Sequence, residues 1–363
     1  MGVKCGIVGL PNVGKSSLFN ALTNSEIAAE NYPFCTIEPN SGVVPVPDPR
    51  LDKLSLIVGS ARLIPATMEF TDIAGLVRGA SKGQGLGNKF LAHIRETEAI
   101  LHVVRCFEDD NVTHVSGRID PLDDVDVVET ELALADLETC TKAAEKASKN
   151  AKTGDKDALN KLSKLEELIS ILGRGEMLRT LTFDESTMLI INELGLITSK
   201  PVLFVANIGE KKIASDCYRQ VLSDYAKSTN AEFLSVCAYI ESQLIALLPQ
   251  ERKEYLLELG LEEPSLNRLV RSAFALLNLQ NFFTAGPKET KAWTIPVGTT
   301  APAAAGRIHG DFERGFIRAE VVGYDDYIKC GGEGGAKDSG KLRSEGKEYV
   351  IKDGDIVHFR FNV

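Results

Sequence analysis

Between a short apolar run, Lys4 to Val8, and an amphipathic stretch carrying Leu18, Phe19, Ala21 and Leu22, the chain reads Gly9-Leu-Pro-Asn-Val-Gly14-Lys15-Ser16. The pattern G-x-x-x-x-G-K-[ST], directly after a strand and directly before a helix, is a phosphate loop. Its glycines let consecutive backbone N–H groups close around a phosphate, and the start of the helix adds partial positive charge. A plain glycine turn would not need Lys-Ser at its end. Asn12, Val13, Gly14, Lys15, Ser16 and Ser17 are therefore the candidate phosphate-binding residues. Lys15 is placed to bridge β- and γ-phosphates, and the Ser16 hydroxyl to ligate Mg2+.

Such a loop belongs in an α/β fold, and the rest of the chain agrees. Runs at Ser41–Val46, Ala66–Asp72, Ile100–Cys106, Val202–Ala206 and Phe233–Cys237 alternate with helical stretches. That order predicts a parallel sheet with helices on both faces. The rhythm breaks between 125 and 199, where Leu132, Leu134, Leu137, Leu162, Leu165, Leu168, Ile169 and Leu172 recur at helical spacing. With the polar turn Lys152-Thr-Gly-Asp155 between them, two helices form an inserted antiparallel hairpin. Its charged residues lean acidic, which suits a protein-docking or solvated face, or a cover for the sheet edge, better than an RNA clamp.

After about Asn278 short strands (Ala292–Val297, Ile317–Val322, Ile356–Phe361) alternate with glycine-rich turns such as Gly331-Gly-Glu-Gly-Gly335. A single helix is expected near Pro302–Ile308, giving a small α+β domain. The expected division is a nucleotide domain over 1–124 and 200–277, a helical hairpin over 125–199 and a C-terminal domain over 278–363.

Composition narrows the partners. A net charge of -10 gives the whole molecule no attraction for DNA or an anionic membrane. After Asn281 acidic and basic residues balance, so that part carries no nucleic-acid footprint either. No apolar run approaches the roughly 18 residues of a membrane span, and no export signal precedes the first strand, so a cytoplasmic location is expected. The seven cysteines are scattered without a Cys-x-x-Cys pair. They read as small buried hydrophobes, not as disulfides or zinc ligands.

The remaining nucleotide elements fall in register with the phosphate loop. Asp72-Ile-Ala-Gly75 ends a strand: Asp72 is placed to hold the metal, through water, and the Gly75 amide to feel the γ-phosphate. Leu76 follows where Ras-like enzymes carry a water-orienting glutamine. Unassisted hydrolysis is then expected at or below the order of 10⁻³ s⁻¹. Four glycines between Gly79 and Gly87 read as a switch that orders in the triphosphate state. Thr36, in Tyr32-Pro-Phe-Cys-Thr36, is placed to cap metal and γ-phosphate. His114 either swings toward the nucleotide to position water or is a solvated loop histidine. Asn12 is a candidate for holding K+ beside the phosphates.

The base is addressed by Asn207-Ile208-Gly209-Glu210, which follows a strand. Guanine-specific enzymes carry Asn-Lys-x-Asp there, the aspartate accepting from two guanine donors. With Ile208 for lysine and Glu210 for aspartate, the site opens to adenine, which the Ile208 backbone can read; spacing alone leaves the choice of base open. Ser235-Val-Cys-Ala238 is similar to the loop that backs the base.

Taken with Phe283-Thr-Ala-Gly-Pro-Lys-Glu-Thr-Lys-Ala-Trp293-Thr, these motifs resemble the Obg-like ATPase (YchF) family across essentially the whole chain. The resemblance implies a Ras-like P-loop nucleotide domain, an inserted coiled-coil hairpin and a C-terminal TGS (ubiquitin-like) domain. It also implies ATP preferred over, or accepted beside, GTP, and association with the ribosome or translation machinery. In that family a hydrophobic residue replaces the glutamine, as Leu76 does here. Ser17 stands where many relatives have threonine, and its hydroxyl survives the change. The expected activity is slow, Mg2+-dependent ATP hydrolysis in a nucleotide-driven regulator. The competing reading is a scaffold that uses nucleotide as a structural ligand. A metabolic kinase is disfavoured, because such kinases lack the Asn-x-x-Glu base reader.

Overall fold

The computed structural model describes residues 3–24, 40–73, 86–109, 118–152, 155–210 and 212–362. Among the described residues the strands are β1 (Val3–Val8), β2 (Ser41–Pro45), β3 (Leu63–Ile64), β4 (Thr67–Asp72), β5 (Ala99–Cys106), β6 (Val202–Ile208), β7 (Glu232–Val236), β8 (Leu279–Ala285), β9 (Thr290–Pro296), β10 (Phe316–Val322), β11 (Arg343–Glu345) and β12 (Ile356–Phe361). The helices are α1 (Lys15–Thr23), α2 (Pro49–Val58), α3 (Leu86–Arg95), α4 (Pro121–Ala151), α5 (Lys156–Gly173), α6 (Glu185–Leu194), α7 (Lys212–Ser228), α8 (Ala238–Ala246), α9 (Pro249–Glu258), α10 (Ser265–Leu276), α11 (Ala301–Ile308), α12 (Gly310–Arg314), α13 (Tyr324–Lys329) and α14 (Glu333–Asp338). Contacts divide the chain into two units, one holding the chain up to Val44 with Glu69–Leu269, the other Pro45–Met68 with Val270–Val363.

In the first unit the sheet runs β2-β4-β1-β5-β6-β7. The pairs β1–β5, β5–β6 and β6–β7 are parallel. Every residue of β5 is buried, as a central parallel strand covered on both faces requires. Strand order reverses at β1, which opens a crevice beyond the carboxyl ends of β1 and β5.

The described part of the inserted segment is mostly helical, as its periodicity predicts, with α4, α5 and α6 separated by short turns. Asp120 caps α4 by accepting from the Asp123 amide, and Pro121 occupies its first turn, where a missing N–H costs nothing. Asp155 caps α5 in the same way. Cys140, Leu165, Leu168 and Leu172 pack with Leu178, Ile190, Ile191 and Leu196 in one apolar core. That core includes α6, so the segment is more than a two-helix hairpin. Leu168 is fully buried there, and truncation to alanine would cost about 2–5 kcal/mol.

The second unit has the sheet order β11-β10-β12-β8-β9-β3. β8–β9 and β10–β12 are antiparallel, whereas β12–β8 and β3–β9 are parallel. On one face lies α11, whose Ala301, Ala304 and Ala305 admit close approach to Phe282, Ile295, Val321 and Phe359.

Three further features depart from expectation. The segment 45–68, expected in the nucleotide domain, lies in the second unit: β3 pairs with β9, and Arg50 binds Asp353 at 2.7 Å while its guanidinium carbon sits 5.2 Å from the centre of the Phe283 ring. Besides the expected α11, the second unit holds the short helices α12, α13 and α14. The turn expected over Gly331–Gly335 is shorter than foreseen. Gly331 and Gly332, at φ 70° and 117°, end α13 and launch α14, which begins at Glu333. Gly335 must lack a Cβ, which would fall on the Cys330 carbonyl.

Candidate active site

The turn between β1 and α1 is built by residues in conformations a side chain rarely takes. Asn12 lies at φ 62° and Gly14, the N-cap of α1, at φ 96°. Val13 points inward and is 1% exposed, so it contributes its backbone to the loop and its side chain to the core. Lys15 is 6% exposed, and its Nζ donates to the Leu10 carbonyl at 2.6 Å. Burial lowers its pKa to about 8, opposed by the nearby Asp72 carboxylate. The ammonium is thus held by its own loop with a single carbonyl, a weak partner compared with a phosphate oxygen.

Ser16 opens the first turn of α1, and its hydroxyl donates to Asp72 Oδ2 at 2.8 Å. Asp72 arrives at the end of β4, hydrogen-bonded through its amide to the Asn40 carbonyl. Its second oxygen, Oδ1, is buried and has no hydrogen-bond partner among the described residues. Two of the three residues foreseen around a metal are therefore adjacent. The third, Thr36, lies outside the described residues, as do Gly75, Leu76, His114 and the glycine-rich stretch through Gly85.

Asn207, at the end of β6, joins the phosphate loop to the other side of the site. Its Nδ2 donates to the Val13 carbonyl at 2.9 Å, and its Oδ1 accepts from the Ala238 amide at 3.1 Å. Gly14 has to be glycine beside it, since a Cβ there would stand 2.2 Å from Asn207 Nδ2. A cavity of about 1000 Å³ opens along these groups. Asn12, Gly14 and Ser17 line it from the phosphate loop, and Asn207, Ile208 and Glu210 from the β6 end. Its volume is at the upper end of the range for small-ligand sites.

Three neighbouring wall residues, Phe107, Glu108 and Asp109, were not foreseen as site residues, nor was Tyr239 at the start of α8. One signal for the first group was available: a charged residue, Arg105, inside the mostly apolar β5 run. His102, on the same strand, is 3% exposed, and burial pushes its pKa down to about 3. It packs against Phe204 as a neutral core residue.

A sheet whose strands β1, β5, β6 and β7 run parallel and whose order reverses at β1, a lysine-bearing loop at that reversal and a cavity bounded by the β6 end define a P-loop nucleotide-binding protein. Comparison with known proteins narrows this. The family model described as "50S ribosome-binding GTPase" matches residues 4–143, and the YchF-GTPase C-terminal model, described as a protein of unknown function (DUF933), matches 279–362. The chain is 57% identical over 363 residues to the ribosome-binding ATPase YchF of Haemophilus influenzae, covering 100% of both. It is 51% identical over 366 residues to that of Bacillus subtilis, again covering 100% of both. The structure of the Schizosaccharomyces pombe YchF GTPase matches with a TM-score of 0.89 at 34% identity, covering 99% of this chain and 98% of that one. The chain belongs to the YchF family. Among the described residues no helix is long and apolar enough to cross a membrane.

Proposed function

We propose that this chain is a Mg2+-dependent ATPase that associates with the ribosome, its nucleotide state regulating that association. The observation carrying the nucleotide reading is Asn207 fastened between the phosphate loop and the Ala238 amide, at a cavity of about 1000 Å³ that Asn12, Gly14 and Ser17 of the phosphate loop also line. Association with the ribosome is carried over from the relatives, whose printed names include it.

The residues present suit a hard divalent cation. Ser16 Oγ and Asp72 Oδ2 lie 2.8 Å apart, and the buried Asp72 Oδ1, unpartnered among the described residues, is the acceptor that a hydrated cation would satisfy. When bound, Mg2+ neutralises charge on the β- and γ-phosphate oxygens. The chain's own residues supply the rest. Lys15 exchanges the Leu10 carbonyl for phosphate oxygens. Amides of the phosphate loop close on the β-phosphate, and Asn207 keeps the loop in shape. Thr36 and the Gly75 amide sense the γ-phosphate in this reading, His114 positions the attacking water, and Asn12 contributes to a K+ site. Glu210 in place of aspartate favours adenine, with GTP accepted more weakly.

Calorimetric titration with ATP and GTP in magnesium buffer tests the first half, and Lys15→Ala should abolish uptake of both. Co-sedimentation with ribosomes under ATP, GTP, ADP and no nucleotide tests the second. Leu76, standing where a glutamine would orient water, favours one other reading, a scaffold with a structural nucleotide. Single-turnover hydrolysis that never responds to ribosomes would select it.

A further inference from the structure

Arg105 lies one residue from the end of β5 and is 2% exposed. A guanidinium removed from water to that degree must recover its hydration from fixed partners. The partners are informative. Arg105 Nε donates to the Phe107 carbonyl at 3.1 Å, and Nη2 to the Asp109 carbonyl at 3.3 Å. Its guanidinium carbon stands 4.6 Å from the centre of the Phe107 ring. All three contacts grip the segment Phe107, Glu108 and Asp109, which forms one wall of the cavity; Ile208–Glu210 and Tyr239 also line it. The same segment is tied from α7, where the Tyr218 hydroxyl donates to Glu108 Oε1 at 3.2 Å.

We propose that Arg105 is a positioning residue for base binding: it holds the Phe107 ring as a flat platform for the purine. The inference rests on the cavity being the nucleotide site. A planar, permanently charged group is needed, because it stacks on the ring and donates to two carbonyls at once. Lysine, a point charge on a flexible stem, cannot do both. The contacts described above go to the base wall, so Arg105 acts on affinity for the base more than on the polyphosphate grip of Lys15 and Ser16.

The test compares affinities of the full-length wild type, Arg105→Lys, Arg105→Met, Phe107→Ala and the double variant Arg105→Lys/Phe107→Ala. Magnesium ATP and magnesium tripolyphosphate serve as the two probes, by calorimetry or competition. Loss of an aromatic platform for a base weakens binding by roughly tenfold. Arg105→Lys should therefore bind ATP about tenfold more weakly and tripolyphosphate within about twofold of wild type. In the Phe107→Ala background the same change should add less than about twofold, since Arg105 acts through that ring. Unchanged ATP affinity in Arg105→Lys overturns the proposal. So does an equal loss for both probes, which marks a merely structural residue, and so does full additivity with Phe107→Ala. Should Arg105→Met fail to melt cooperatively, the lysine series decides alone. A wild type that takes up neither probe sinks the nucleotide reading itself, a result distinct from all of these.

Discussion

Replacing Gly14 with alanine tests whether Asn207 and the phosphate loop form one rigid unit. The new methyl carbon would lie 2.2 Å from Asn207 Nδ2, far inside contact distance. A free side-chain end would swing away cheaply. Asn207 is not free: it is 6% exposed and bonded at both ends, to the Val13 carbonyl and the Ala238 amide. Moving it forfeits two buried hydrogen bonds, about 1 kcal/mol each. Holding a residue with a Cβ at φ 96° costs about 1–2 kcal/mol more. The whole is about 3 kcal/mol, a factor on the order of 100 in an equilibrium constant.

Expressed in the fold, that loss lowers the melting temperature of a unit this size by about 6–12 °C. Expressed in the site, it raises the Kd for ATP by at least about tenfold. Scanning fluorimetry with calorimetric ATP titration reads both. Gly59→Ala is the matched reference: φ is +66°, nothing lies within 4 Å of the added carbon, and it caps α2 in the second unit. It should show only the backbone cost, about 1 kcal/mol, with ATP affinity intact. A Gly14→Ala protein that binds ATP within twofold of wild type and melts within a degree of it would refute the reasoning.

Further outcomes follow from the same geometry. Ile208→Lys with Glu210→Asp should move nucleotide preference toward GTP, read as the ratio of ATP to GTP dissociation constants; an unmoved ratio removes these residues from base reading. Asp72→Asn should raise the Mg2+ concentration needed for half-maximal ATP binding by about tenfold or more, because a charged ligand of the cation is lost. For pH, His102 has its pKa lowered from 6.5 to about 3 by burial, helped by Arg179 and Lys15. The unfolded chain therefore gains a proton below about pH 6.5 that the native state refuses, and stability falls as pH drops toward 3. His102→Leu should remove a few kcal/mol of that acid dependence, compared with wild type by urea unfolding at pH 7 and pH 4. Parallel curves for the two proteins would show that His102 is not the group responsible.

What the sequence made legible was local. The phosphate loop is eight consecutive residues with a strand before and a helix after, and every part of that pattern is nearby in the chain. The helical insert was readable for the same reason, since leucines three and four apart encode one buried stripe. The wall at Phe107–Asp109 was not, because its role comes from Arg105 reaching forward out of a buried strand, and a charged residue in an apolar run has several readings until its partners are seen. Asn207 is legible as the start of a motif after a strand, yet its grip on Val13 spans 194 residues of sequence. The short helices α13 and α14 escaped because each is only six residues long and glycines set their junction. Local propensity gives almost no signal at that length.

The excursion of residues 45–68 has a consequence for how the molecule is made. β3 is the edge strand of a sheet whose other five strands begin at Leu279 or later. During synthesis it leaves the ribosome long before its partner β9 exists, while β1, β2 and β4 on either side already belong to the other sheet. At about 5–20 residues per second, the last strand follows some 15–60 s later. For that interval Leu51 and Leu54, both buried in the folded protein, must wait without a sheet to join. Neither half of the chain can be expressed alone as a finished piece: a cut near 278 strands the early segment, and the later fragment lacks its edge.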